Sequence, residues 1–554
     1  MFRSILRSAV HTVLAAACTA GFCSTGIAAS APAPTAPALR HEEMNVIVIS
    51  LQCLRQDHLG TYGYQRDTSR NIDALASRSV LFENAIAQAN FTPVAQMSIF
   101  TSQYARMHGM VSFEISKDTV TQRTLPEILK YYGYATAAFA SSPEFFVRFD
   151  TSSGATINTA DVYARSFDAF ESTRRGLGPK HVRKIPDESL EWIRENKDRK
   201  FFLWIASGLL HMPYAAAVPV EEQTRYDDRS YTPFWKRLTQ LPAEVAADED
   251  PSYDVLSRVS RGDFYWGFQP VHHLSPADVQ YVINRYDAGV HYTDQFIGEL
   301  MRLLDSLHLT EKTLIVLHSS HGDDLGERSD FFHYDVSDGV VRDALIIRFP
   351  LGEFGGKRIA PQVQSIDIMP TVLEYLQVPV PHEAQGKSLL PLIRGDKGAS
   401  GSEYAFIDRI PWWEYTLSKW YLEFQGNRGA HFAASEQARL KEYRDLLRQE
   451  FDRLDYPPGD IAVRTKEWKL VLRKNPSLLN RVSWWNFITG TAHAVDETAL
   501  YDLAKDPQET MNVAAKHPEV VNRLKEKLLA WDRSMESRKT VFRKFDKRLI
   551  IPYP

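Results

Sequence analysis

The chemistry available to this chain of 554 residues rests on a few hydroxyl, thiol and imidazole groups. The first hydroxyl is Thr92, in the stretch Phe91 to Gly109, FTPVAQMSIFTSQYARMHG. This stretch opens as a turn into a helix. Thr92 is placed to cap it, and Pro93 suits the first helical position, where its missing N–H costs nothing. The same hydroxyl is also a candidate nucleophile, weak until a base or a metal lowers its pKa. Histidines are the natural bases, although a lone histidine is more often structural. The chain has three cysteines. Cys18 and Cys23 fall in an N-terminal segment that reads as a secretory signal, so the mature chain keeps Cys53 alone. A single cysteine forms no disulfide within its own chain.

The elements that must position these groups are legible as buried strands alternating with helices. Asn45 to Leu51, NVIVISL, is a short β-branched run of the kind buried on both faces of a parallel sheet. Ala135 to Phe139, Phe201 to Ile205, Thr313 to His318 and Ala344 to Phe349 read the same way. Asp287 to Leu307 carries helical spacing, and so does Asp367 to Leu376, with Pro370 in its first turn. The alternation implies an α/β sheet covered on both faces. Ligand sites of such sheets lie beyond the carboxyl ends of the strands.

Composition bounds the class. With 44% hydrophobic and 24% charged residues, the chain has the make-up of a globular protein with one large domain and a smaller one. A net charge of -4 argues against a general nucleic-acid binder. Residues 1–31 have the positive start, the short apolar run and the small residues of a signal peptide, which predicts export to the periplasm or beyond. The apolar run is too short for a transmembrane anchor. Lipid attachment at Cys18 is the alternative, against which stands Ala15 where a Leu is usual. Residues 32–43 form a Pro/Ala linker.

A series of short blocks then recurs in a telling order. They are Leu54-Arg55-Gln56-Asp57-His58-Leu59-Gly60, Asn71 to Ala76, Phe82 to Ala85, and Ser98 to Ser102 with His108-Gly109. His211-Met212-Pro213-Tyr214, Tyr286-Asp287-Ala288, His321 to Glu327 with His333, and Gly386 to Leu392 follow. Leu500 to Leu503 and Asp506 to Glu509 close the series. In this order the blocks resemble those of the sulfatases, members of the alkaline phosphatase superfamily, over nearly the whole mature chain. The resemblance implies a large, mostly parallel sheet covered by helices on both faces over 44–395. A smaller C-terminal α+β subdomain, 396–554, completes the expected fold.

The resemblance also implies a site, and the chain departs from it at the most characteristic positions. Thr92 stands where sulfatases carry the Cys or Ser that becomes formylglycine, so no formylglycine is expected. Gln96 replaces the family's Arg on the substrate side. The calcium-like ion of a sulfatase is held by carboxylates, because hard cations need anionic oxygen ligands. The matching positions here are Gln52, Cys53 and Ser320, with His321 following. Thiolate and imidazole suit Zn²⁺ better than Ca²⁺, but Cys53 and His321 alone leave two positions of a tetrahedral site unfilled. Asp323 and Asp324 lie just downstream and are the carboxylates that could swing in as ligands, although the resemblance assigns these positions no ligand role. His211 and His333 match the family's site histidines, which bind the sulfate or protonate the leaving oxygen. Arg55 is assigned a structural role. The segment Gly133 to Phe146 lacks the family's Lys and His of the sulfate clamp.

Three readings follow. The first is an exported sulfatase-like hydrolase acting on a small-molecule or glycan sulfate ester. The second is a non-catalytic relative that serves as a binding or partner protein. The third is a phospho- or sulfo-ester hydrolase or transferase built on Thr92 and the histidines. Two segments read as additions, 219–276 and 409–456, either packing the domains together or walling the site.

Overall fold

The computed structural model describes residues 44–110, 120, 122–141, 148–150, 156–172, 184–211, 214, 218–232, 275–327, 331–333, 335–410, 460–473 and 496–546. The expected signal and linker, most of both expected additions, and Met212 and Pro213 lie outside these residues.

The main sheet has nine strands: β1 (Asn45–Leu51), β2 (Val80–Ile86), β3 (Ala135–Ser141), β4 (Ala169–Ser172), β5 (Phe201–Ser207), β6 (Thr313–His318), β7 (Arg342–Arg348), β8 (Arg358–Ile359) and β9 (Val363–Gln364). Their order is β8-β2-β7-β6-β1-β5-β3-β4, with β9 also paired to β2. β7 alone runs against its neighbours; every other pairing is parallel. The run predicted to be buried on both faces is the central strand. Val46 and Val48 enter one core, and Ile47, Ile49 and Leu51 enter the other. This alternation is what a strand does when both faces are covered.

Helices supply the two covers. On one face lie α1 (Thr92–Thr101) and α4 (Ile368–Tyr375), and on the other lie α2 (Lys184–Asn196) and α3 (Pro276–Ser306). α3 starts with Ser275 in a full capping box with Asp278, which satisfies two otherwise unpaired amides. α1 is buried along its whole length, consistent with its lack of a polar face.

A second sheet, antiparallel, has the order β10 (Ala405–Asp408), β11 (Ile461–Arg464), β12 (Trp468–Leu472), β13 (Thr498–Asp502). The long helix α5 (Pro518–Asp546) lays Val520, Leu524, Leu528, Trp531 and Met535 against it, a stripe at helical spacing. The sheet is tied to the large domain by buried charge. Lys469 is wholly buried and its Nζ lies 2.6 Å from Asp338 and 2.7 Å from Glu509. Arg464 adds a second cation 2.7 Å from Asp338. Burial alone would raise the Asp338 pKa; Arg464 and Lys469 outweigh it and hold the carboxyl far below its usual range.

One core carboxyl behaves in the opposite way. Asp343, on β7, accepts hydrogen bonds from Ser319 and, at 2.6 Å, from Ser365. With no cation beside it, burial pushes its pKa up to about 7. The native state therefore binds this proton more tightly than the unfolded chain does. That contribution is complete below about pH 4 and is lost as pH rises through 7. Asp343→Asn removes the ionisation and keeps the shape. Its unfolding free energy should stay near the parent's at pH 4 and exceed it at pH 8, by on the order of a few kcal/mol. Parallel pH dependence of the two proteins would show that Asp343 does not titrate.

Candidate active site

The candidate residues come from the carboxyl ends of adjacent strands. β1 and β6 pair in parallel, with Ser50 opposite His318. Gln52 and Cys53 therefore leave one strand beside the point where Ser320 and His321 leave its neighbour. His211 follows β5 on the other side of β1. Thr92 enters from the start of α1, after β2.

Thr92 is not the cap that the sequence suggests. Phe91 is the N-cap, without a side-chain cap bond, and Thr92 and Pro93 are the first two helical residues. Proline is tolerated at either position, because neither amide has an intrahelical acceptor. The Thr92 hydroxyl is thereby freed from capping, and it lies 2.7 Å from His321 Nε2. His321 Nδ1 sits 2.9 Å from the Gly322 carbonyl oxygen. A carbonyl only accepts, so Nδ1 carries the proton of the neutral ring and Nε2 is the acceptor. The Thr92 hydroxyl then donates to a bare nitrogen, the relation of a nucleophile to its general base. Gly322 is required here, since a Cβ would lie 2.2 Å from the Gly339 carbonyl.

A second pair stands beside the first. His333 Nδ1 is 2.6 Å from Asp323 Oδ1, and the Tyr214 hydroxyl donates to Asp323 Oδ2 at 2.8 Å. Burial, then the charge of Asp323, holds the Tyr214 hydroxyl protonated well above its ordinary range. Asp323 thus fixes His333 by the carboxylate–imidazole contact that orients site histidines. The ring centroids of His321 and His333 are 4.4 Å apart, and those of His211 and His333 5.5 Å. Asn90 donates to the His333 carbonyl at 2.8 Å.

The structure also brings together Cys53, His321, Asp323 and His333. One donor atom from each lies within 4.8 Å of the others, and all four are buried. The calcium of the family does not fit this set. A thiol and two imidazoles replace hard oxygen donors, leaving one carboxylate where such ions require several. Gln52 and Ser320 add only neutral side chains. Both polar atoms of the Gln52 amide and the Ser320 hydroxyl are buried without a hydrogen-bond partner among the described residues.

Gln96 does not join the cluster directly. Its Oε1 is 2.9 Å from Ser50 Oγ at the end of β1, while its Nε2 has no partner. Ser50 also contacts His318 Nε2 at 2.8 Å, and burial holds His318 down at about 4, hence neutral. Arg55 braces the loops. It pairs with Asp57 and Glu327, both at 2.7 Å, and donates to the Asp323 carbonyl at 3.1 Å. Read from sequence, Asp323 is only a downstream carboxylate, and Tyr214 and Asn90 have no role. For Asp323 a signal was present, a His-x-Asp pair directly after a buried strand.

A mostly parallel sheet with its polar residues gathered at the strand ends, and a small antiparallel sheet behind it, defines an alkaline-phosphatase-type hydrolase fold. The solved structures it resembles agree. A phosphonate monoester hydrolase from Silicibacter pomeroyi superposes with a TM-score of 0.60 at 20% identity, covering 89% of this chain and 95% of that one. BT4656 in complex with its substrate D-glucosamine-2-N,6-O-disulfate gives 0.57 at 16% identity, covering 89% and 98%. The family model described as Sulfatase matches residues 44–378, more than half of the chain, and the chain belongs to that family. Among curated proteins, mouse arylsulfatase K is 24% identical over 348 residues, 62% of this chain and 52% of that protein. The chain thus spans about half the length of that relative. The N-acetylglucosamine-6-O-sulfatase of Bacteroides thetaiotaomicron is 22% identical over 574 residues, 91% of this chain and 90% of that protein. Among the described residues no helix is long and apolar enough to cross a membrane.

Proposed function

We propose that this protein is an exported hydrolase or transferase of sulfate or related oxoanion esters that uses Thr92 itself as nucleophile, without formylglycine. The observation that carries the reading is the 2.7 Å hydrogen bond between Thr92 and the acceptor nitrogen of His321. Family membership supports the sulfuric ester. The relatives named for N-acetylglucosamine 6-O-sulfate and glucosamine disulfate support a sulfated sugar as substrate.

In this mechanism Thr92 Oγ attacks the sulfur, and its proton passes to His321 Nε2. The bond from sulfur to the leaving oxygen breaks. His333, protonated and held by Asp323, gives its proton to that oxygen. Water, deprotonated by His333, then attacks the sulfur of the Thr92 ester. Thr92 Oγ leaves and recovers its proton from His321. A sugar hydroxyl in place of water would make the reaction a transfer. Gln96 Nε2, a buried donor without a protein partner, is assigned to an oxygen of the anion.

The test is a panel of aryl sulfate, phosphate and phosphonate esters with the mature protein, followed by acid quench and peptide mass analysis. Turnover of one ester class, with a sulfo or phospho group trapped on the Thr92 peptide, is the expected result. Turnover with an aldehyde at position 92 or 53 would overturn the threonine mechanism. No turnover of any ester, with the fold intact, would leave the binding-protein reading in its place.

A further inference from the structure

We infer that Cys53, His321, Asp323 and His333 form a zinc site, a replacement for the family's hard-cation site rather than a remnant of it. The inference does not depend on the reaction proposed above, which belongs to the metal-free state: a zinc ion takes the His321 Nε2 lone pair and holds His333 neutral.

The first ground is geometry. Four ligands at zinc bond lengths stand about 3.3–3.8 Å apart at the corners of a tetrahedron. The four donor atoms here already lie within 4.8 Å of one another with no ion to gather them. A closure of about 1 Å completes the set. Cys53 comes from the turn after β1, His321 and Asp323 from the loop after β6, and His333 from the end of the strand pair Asp324–Leu325 and Phe331–Phe332. Cys53 is brought to the other three by the parallel pairing of β1 and β6.

The second ground is chemistry. One thiolate, one carboxylate and two neutral imidazoles balance the two charges of the ion. Thiolate and imidazole favour zinc over calcium or magnesium. Among the described residues, Cys53 is the only cysteine.

The third ground is the support around the donors. Cys53 has φ 60°, and Phe332, next to His333, has φ 71°. Both are side-chain-bearing residues in the left-handed region, a strain that structures retain where a position is over-determined. The Cys53 carbonyl is held by the Tyr286 hydroxyl at 2.6 Å, and that hydroxyl accepts from the Arg55 amide at 2.7 Å. The His321 ring presents Nε2 because Nδ1 is committed to Gly322. Tyr214 holds Asp323. These are the outer contacts that orient metal ligands. Independent of them, the partnerless buried amide of Gln52 and hydroxyl of Ser320 directly adjoin Cys53 and His321 in the chain. Buried polar atoms left without a partner call for an ion or its bound solvent.

The consequence for the site is local charge. Thr92 Oγ lies 2.7 Å from His321 Nε2, so a cation bound there would displace that hydrogen bond and take the nitrogen out of service as a base.

The test uses the mature protein purified without chelator. Elemental analysis should find one zinc per chain. After chelation, micromolar Zn²⁺ should raise the melting temperature, while millimolar Ca²⁺ or Mg²⁺ should not. Co²⁺ in place of zinc should give the near-ultraviolet thiolate charge-transfer band. Cys53→Ser should abolish that band and weaken zinc binding at least about 100-fold. If Cys53→Ser does not fold, His333→Gln read by zinc affinity decides in its place. Failure of zinc to bind or to shift the melting temperature, a cobalt spectrum without the thiolate band, or equal stabilisation by Ca²⁺ would overturn the site. Zinc bound at the site, with no ester turnover after chelation, would sink the reaction and keep the site; turnover in a protein that binds no zinc would do the reverse.

Discussion

Thr92→Ala is expected to lower kcat at least about 10³-fold with KM little changed, because it removes the attacking atom and no binding group. His321→Ala should cost about 10²–10⁴-fold, the range for a general base. The informative measurement is the double variant. If the two groups act as a unit, joined by their 2.7 Å hydrogen bond, the double variant should be no slower than Thr92→Ala alone. The acidic limb of the kcat/KM profile should also disappear in His321→Ala. Thr92→Ala removes one buried hydrogen bond to the imidazole, which costs about 0.5–1.5 kcal/mol, so the melting temperature separates this loss from the catalytic one. Multiplicative losses in the double variant would mean that Thr92 and His321 serve separate steps. Retained activity in Thr92→Ala would remove Thr92 from the mechanism.

The largest effect on stability should come from Lys469. Its ammonium lies between Asp338 and Glu509 and donates to the Val336 carbonyl at 2.9 Å, wholly out of solvent. Lys469→Met preserves much of the volume and leaves Glu509 short of its cation. Breaking a buried pair from one side costs about 3–5 kcal/mol. Chemical denaturation should show a loss of that size. Asp338 keeps Arg464, so adding Glu509→Gln to Lys469→Met should return part of the stability. A loss under about 1 kcal/mol, the surface-pair range, would mean the charges are solvated. The Asp338 pKa is depressed, so this contribution is present above the usual carboxylate range and fades as pH falls below it.

How far these features were legible depends on the range of the interaction. β1 was readable because β-branched residues in an unbroken run have few other places to go. The long helix from Pro276 was partly readable from Asp287 onward; its capped first turns lay beyond an unpatterned segment. At Thr92 the local rule misled by one residue: Thr-Pro matches cap and first position, but the structure makes it first and second. What draws the threonine inward is His321, a neighbour no local pattern contains. Cys53 and His321 were paired as soft donors from their positions alone. The other two donors were not joined to them, because Asp323 and His333 reach the thiol only through strand order. The expected role of His333 as acid is compatible with its observed contact to Asp323, which spacing could not reveal.

The central place of β1 bears on how the chain is made. β1 is synthesised first among the strands, yet its two partners are β5 and β6, ending at Ser207 and His318. Until residue 318 has left the ribosome, one edge of a seven-residue apolar strand has nothing to pair with. Unpaired edges of this kind seed aggregation, and distant pairings form slowly. Chaperone capacity during synthesis and translocation, rather than the stability of the finished fold, should therefore limit the yield of this protein. Fragments that stop before His318 should accumulate as insoluble material.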